Sequence, residues 1–138
     1  MAFAGMNYFA VLVAAAAAFI FGGAWYGILG KVWLAALGKS EAAIKSGPPM
    51  AVRLAVAAAA LLVMAYLLAG VIGHLGPGQV TLAHGLVAGF FIWLGFVMTT
   101  LVVNYVFQNQ KWTLTLIDGG HWLGVLLIEG AIIGGLGV

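Results

Sequence analysis

Apolar residues fill four long blocks of this chain, and most polar positions fall in the gaps between them. The blocks cover residues 7–29, 51–73, 81–107 and 112–137. Each has about the 20 or more residues that a helix needs to cross a hydrocarbon core of about 30 Å. The gaps carry turn and stop signals. In the first, residues 30–50, an apolar turn at 33–37 is followed by Gly38 as a stop. Ser40 caps a short helix there, and Gly47-Pro48-Pro49 ends it. The second gap holds Gly76-Pro77-Gly78, and the third is the turn Gln108-Asn109-Gln110-Lys111. The expected fold is all-α: one transmembrane domain over 1–138, an integral membrane four-helix bundle. Neighbouring helices are antiparallel, the turns are short, and one loop is longer.

Composition strengthens this reading. Of 138 residues, 65% are hydrophobic and 6% charged. A soluble domain has about 25% charged residues, so this chain has no means of covering itself with a polar surface. The first block has no Lys or Arg before it, unlike a secretory signal, and reads as an uncleaved span. There is no cysteine. That excludes disulfides, thiolate metal sites and thiol nucleophiles.

The basic residues set an orientation. Lys31, Lys39, Lys45 and Arg53 flank the first gap and Lys111 lies in the third, so all five fall on one side. The positive-inside rule makes that side cytoplasmic, with both termini outside. The expected location is the bacterial inner membrane. Trp25, Tyr26, Lys31 and Trp33 at one span end, and Tyr105, Lys111 and Trp112 at the next gap, read as interface anchors. These two clusters echo each other, with Tyr and Trp seven apart in both (Tyr26…Trp33, Tyr105…Trp112). The echo fits two aromatic belts at one interface, or two like-oriented helical hairpins.

The last block carries the chemistry. It holds Asp118, His121 and Glu129. Acidic groups in hydrocarbon cost a few kcal/mol each, so they face a bundle interior or a water-filled cavity. Asp118 and Glu129 lie about 20° apart around a helix, with His121 at the edge of the stripe. Folding the short third turn back on itself puts Asp118 level with Asn104, near Thr100, and His121 near Thr99. His84 lies toward the far end with Glu129. One reading is a proton or cation path along this seam. The other is a hydrogen-bonded seam that pins helices together.

Four G-x-x-x-G pairs, Gly23/Gly27, Gly85/Gly89, Gly120/Gly124 and Gly130/Gly134, offer flat strips for close helix packing or for a subunit interface. Asp118-x-x-His121 has the spacing of inward ligand pairs in di-iron bundles. The first two spans add only Asn7 and Tyr66, so no metal is expected. No cofactor is expected either, although His84 or His121 leaves pigment or haem ligation as an alternative. No G-x-S-x-G or H-E-x-x-H motif is present, the only serines are Ser40 and Ser46, and no enzyme activity is expected. Without a basic stripe, nucleic acid is not an expected partner.

Several stretches carry a family likeness: MNYFAVLVAAAAAFIFGGAWYG (6–27), GKVWLAALG (30–38), WLGFVMTTLVVNYVFQ (93–108) and LIDGGHWLGVLLIEGAII (116–133). In these the chain resembles an uncharacterised bacterial four-span membrane-protein family, known as domain of unknown function seventeen-sixty-one. The resemblance implies a small four-span protein. It implies no activity, so no site residue carries over from it. The function expected from the residues is small-solute or proton/cation permeation by an oligomer in the lipid bilayer. The alternatives are a non-catalytic accessory subunit of a larger membrane complex, or a pigment-, quinone- or lipid-binding protein.

Overall fold

The computed structural model describes residues 3–138. Helices α1 (Tyr8–Leu37), α3 (Met50–Gly73) and α6 (Trp112–Leu136) are continuous, and α2 (Glu41–Lys45) is a single short turn in the first loop. The third apolar block is α4 (Leu82–Ile92), a π-helical stretch (Trp93–Met98) and α5 (Thr99–Phe107), stacked end to end. The described residues form no strand, and four helices are long and apolar enough to cross a membrane. The chain is thus an all-α, multi-pass membrane protein.

The helix ends follow the local signals. Asn7 accepts from the Ala10 N–H through its side chain and donates to the Leu136 carbonyl, which ties the two chain ends together. Gly38 adopts the left-handed conformation (φ 68°) and ends α1. The sequence expectation placed the end of this span near 29 with a separate apolar turn after it. Instead α1 runs unbroken to Leu37, because nothing between Gly30 and Gly38 breaks a helix. The Ser40 hydroxyl accepts from the Ala43 N–H to start α2. Arg53 then reaches back from α3 to the carbonyls of Ile44 and Pro48. Its guanidinium serves loop acceptors while keeping its charge at this end of the bundle. The Glu41–Lys45 ion pair is exposed and adds little.

Helix α6 is the most buried and packs most extensively on α1 and α4, antiparallel to both. Small residues decide this. On α1, Ala14, Ala15 and Ala18 face the core; α3 supplies Leu61, Ala65, Leu68, Ala69 and Ile72; α6 supplies Val125, Leu126 and Ile133. On the other side Gly85 and Gly89 of α4 mesh with α6. A Cβ built on Gly85 would strike the Gly130 carbonyl, and one on Gly89 the Leu126 carbonyl. Gly134 meets the Thr81 carbonyl in the same way. Backbone meets backbone along this seam, the close approach that glycine permits in lipid.

The other glycine pairs behave differently. Gly120 and Gly124 receive the rings of Trp25 and Phe21. Gly23 and Gly27 face away from the bundle, with nothing within 4 Å of a Cβ at either position. Only two of the four expected strips therefore pack against each other.

Candidate functional site

Asp118 lies about 9 Å along α6 from Trp112. It is buried, and its carboxyl is held from two sides. The Tyr26 hydroxyl of α1 donates to Oδ1 at 2.6 Å, and the Tyr105 hydroxyl of α5 donates to Oδ2 at 2.5 Å. The backbone around Asp118 is gripped as well. The Trp25 indole N–H donates to the Ile117 carbonyl at 3.0 Å, and the Trp93 indole N–H to the Gly119 carbonyl at 2.8 Å. Two phenols and two indoles, one of each from α1 and one of each from the third span, thus close on one turn of α6.

This corrects the expected partners of Asp118. Asn104 is exposed. Thr99 and Thr100 are exposed too, and their hydroxyls donate within their own helix, to the carbonyls of Gly95 and Phe96. Those carbonyls belong to the π-helical stretch, where the regular i→i−4 ladder is interrupted. The threonines therefore serve that widened turn and not a path. The anchor assignment also changes. Trp25, Tyr26 and Tyr105 turn inward to hydrogen-bond α6, because a buried acid needs donors more than the interface needs aromatic rings. Trp33 packs edge-on against Tyr26 with centroids 5.8 Å apart. Lys31 and Trp112 are exposed, and Lys111 donates to the Ala35 carbonyl at 3.3 Å.

His121 follows one turn later. Its ring lies between Phe21 (6.1 Å), Tyr26 (4.9 Å) and Trp122 (4.6 Å). Gly22 makes room for it, since a Cβ there would stand 2.9 Å from Nε2. His121 is buried, and its Nδ1 has no hydrogen-bond partner among the described residues. Thr99 does not reach it.

Glu129 lies about 25 Å along α6 from Trp112. It is 0% exposed, and neither carboxyl oxygen has a partner among the described residues. One turn to each side stand Val125 and Ile133, both in the apolar core. His84, its expected neighbour, is exposed at the start of α4 and hydrogen-bonds the Gln79 carbonyl at 2.6 Å. The glycine seam holds α4 and α6 in a register that leaves His84 outside. Asp118, His121 and Glu129 do share the buried side of α6, but only Asp118 is paired. No group of three or more His, Asp or Glu among the described residues is arranged to hold a metal.

The site roles that sequence reasoning missed are those of Trp25 and Trp93 as donors to α6 and of the two tyrosines as donors to Asp118. The signal was in view: Tyr26 and Tyr105 are the tyrosines of the echoed motif. They approach one carboxyl from opposite helices.

The family model for proteins of unknown function, DUF1761, matches residues 9–134, nearly the whole chain. The chain belongs to the DUF1761 family. That match spans all four apolar helices and takes in Tyr26, Tyr105, Asp118, His121 and Glu129. No curated protein and no solved structure matches the chain.

Proposed function

We propose that this DUF1761 protein is a small permeation subunit in which protons bind and leave at Glu129, and that it works as an oligomer. The observation behind this reading is Glu129 itself: fully buried, 17 residues into a membrane-length helix, with both oxygens unpartnered. Buried polar groups in proteins are nearly always hydrogen-bonded. Ionisable residues inside membranes often mark proton or ion pathways. His121, also unpartnered and on the same side of α6, lies between Glu129 and the Asp118 clamp. Four helices are too few to enclose a pathway unaided, which is why several copies are invoked. We place the basic end, with Lys31, Lys39, Lys45, Arg53 and Lys111, at the cytoplasmic face of a bacterial inner membrane. Glu129 then lies in the outer half.

The test is proton flux in vesicles reconstituted with purified protein under an imposed potential. Wild-type protein is expected to pass protons. Glu129→Gln is expected to fall to the rate of protein-free vesicles, with an unchanged thermal melt. Equal flux from Glu129→Gln and wild type would sink the mechanism.

A second reading, the accessory subunit, is favoured by the open face of α1 at Gly23 and Gly27 and by the internal pairing of Asp118. Native purification separates the two. A second protein at fixed stoichiometry supports the accessory role, and a homo-oligomer alone supports permeation.

A further inference from the structure

At the basic end of the bundle, the corner between α5 and α6 contains a recess of about 340 Å³. It is lined by Tyr105, Val106, Asn109, Gln110, Trp112 and Thr115. Two side-chain amides, a phenol and a hydroxyl line it together with Val106 and the Trp112 ring, so the wall is part polar, part apolar and carries no charged group. Lys111, the nearest cation in sequence, is turned to the Ala35 carbonyl of α1. Asn109, in the turn beside the recess, holds a positive φ of 54°. Tyr105 belongs to two structures at once: its side chain walls the recess, and its hydroxyl ends on Asp118 Oδ2. Thr115, buried at the floor of the recess, stands three residues before Asp118 on the same helix.

We propose that this recess is an aqueous mouth through which protons reach Asp118, with the Tyr105 hydroxyl as the last relay. The neutral, hydrogen-bonding lining suits water and a proton carried by it. It suits neither an anion nor a metal ion, since the Asp118 oxygens already accept from two hydroxyls. The transfer balances at each atom. A hydronium in the recess gives a proton to the Tyr105 oxygen, its O–H bond breaking to leave water, as the existing Tyr105 O–H proton passes to Asp118 Oδ2. One O–H bond forms and one breaks at the phenol, the carboxylate becomes a carboxylic acid, and no other reactant is needed. Beyond Asp118 the Tyr26 hydroxyl and the His121 ring continue toward the core. This inference rests on the permeation reading for its purpose and adds the place of entry.

The absence of cysteine makes the test direct. Thr115→Cys, Asp118→Cys and Glu129→Cys are purified in detergent, shown to melt cooperatively, and treated with a trimethylammonium-ethyl methanethiosulfonate. Labelling is read by intact mass. Thr115→Cys and Asp118→Cys, at or beneath the floor of the recess, are expected to label slowly but measurably, and Glu129→Cys is expected to stay unlabelled. Gln110→Trp, which fills the recess from its rim, is expected to slow both labelling reactions. Should Asp118→Cys fail to fold, Thr115→Cys with and without Gln110→Trp decides the matter. The mouth is disproved if Asp118→Cys labels no faster than Glu129→Cys, or if Gln110→Trp leaves labelling unchanged. Labelling reads water access and not flux. Its failure therefore leaves the Glu129 mechanism standing, and a failed flux assay leaves the mouth standing.

Discussion

Gly85→Ala and Gly130→Ala are each expected to destabilise the protein by about 3 kcal/mol, the upper part of the range for overpacked cores. A methyl on Gly85 meets the Gly130 carbonyl, and a methyl on Gly130 meets the Gly85 carbonyl. Neither obstacle is a side chain that swings aside. The helices must separate, and the packing along the Gly89–Leu126 and Gly134–Thr81 contacts goes with them. Dispersion between close backbones is a main source of helix association in lipid, so a small separation loses a large share of it. Gly23→Ala and Gly27→Ala are the matched controls. Both positions are helical and open, and alanine is the better helix former by about 1 kcal/mol. These two are expected to be neutral or mildly stabilising. Detergent melts of the four variants check the contrast, and a wild-type melt from Gly85→Ala would mean that the seam is looser than described.

The second large effect is expected at the Asp118 clamp. Tyr26→Phe and Tyr105→Phe each remove one short hydrogen bond to the carboxyl, and each is expected to cost about 1.5–3 kcal/mol. The double variant leaves the carboxyl with neither donor in an apolar setting and is expected to be the least stable of the set. Adding Asp118→Leu to the double variant is expected to recover much of the loss, because a polar cluster replaced whole by apolar groups can be nearly neutral. Asp118→Leu alone strands two phenol hydroxyls and falls in between. Asn104→Leu is expected to change stability by less than about 0.5 kcal/mol, since Asn104 is exposed. Chemical denaturation of the series in detergent, analysed as a mutant cycle, measures these couplings. Additive single and double losses with no recovery in the triple variant would contradict the clamp.

Much of the architecture was legible because it follows from short-range rules. Four apolar blocks of membrane length need no partner to be recognised, and Gly38, Ser40 and Pro48-Pro49 act on their immediate neighbours. The side on which a helix faces its neighbour was less legible. Tyr26 reads as an interface residue because it neighbours Lys31 and Trp33 in sequence, yet its hydroxyl is needed by an acid 92 positions away. Thr99, Thr100 and Asn104 match the depths of His121 and Asp118 when the short third turn is folded back, yet all three are exposed. Glu129 was placed toward protein from its angle to Asp118, and the bundle buries it. His84 was offered as its partner from depth alone, and depth says nothing about which side of a helix a group occupies.

The widened turn at Trp93–Met98 does more than interrupt that helix. Trp93 and Tyr105 are twelve residues apart, and at about 100° per residue a regular helix would leave them about 120° out of phase. Six residues at the wider i→i+5 spacing advance by roughly 85° each and remove most of that difference. The π stretch is in effect a phase corrector, letting one helix present an indole and a phenol to the same turn of α6. Two of its carbonyls, those of Gly95 and Phe96, accept from Thr99 and Thr100, so exposed hydroxyls back the stretch that sets the phase of a buried clamp they never touch. Making 93–98 a regular α-helix with no residue lost would leave the glycine seam where it is and swing the Tyr105 phenol off the carboxyl toward lipid.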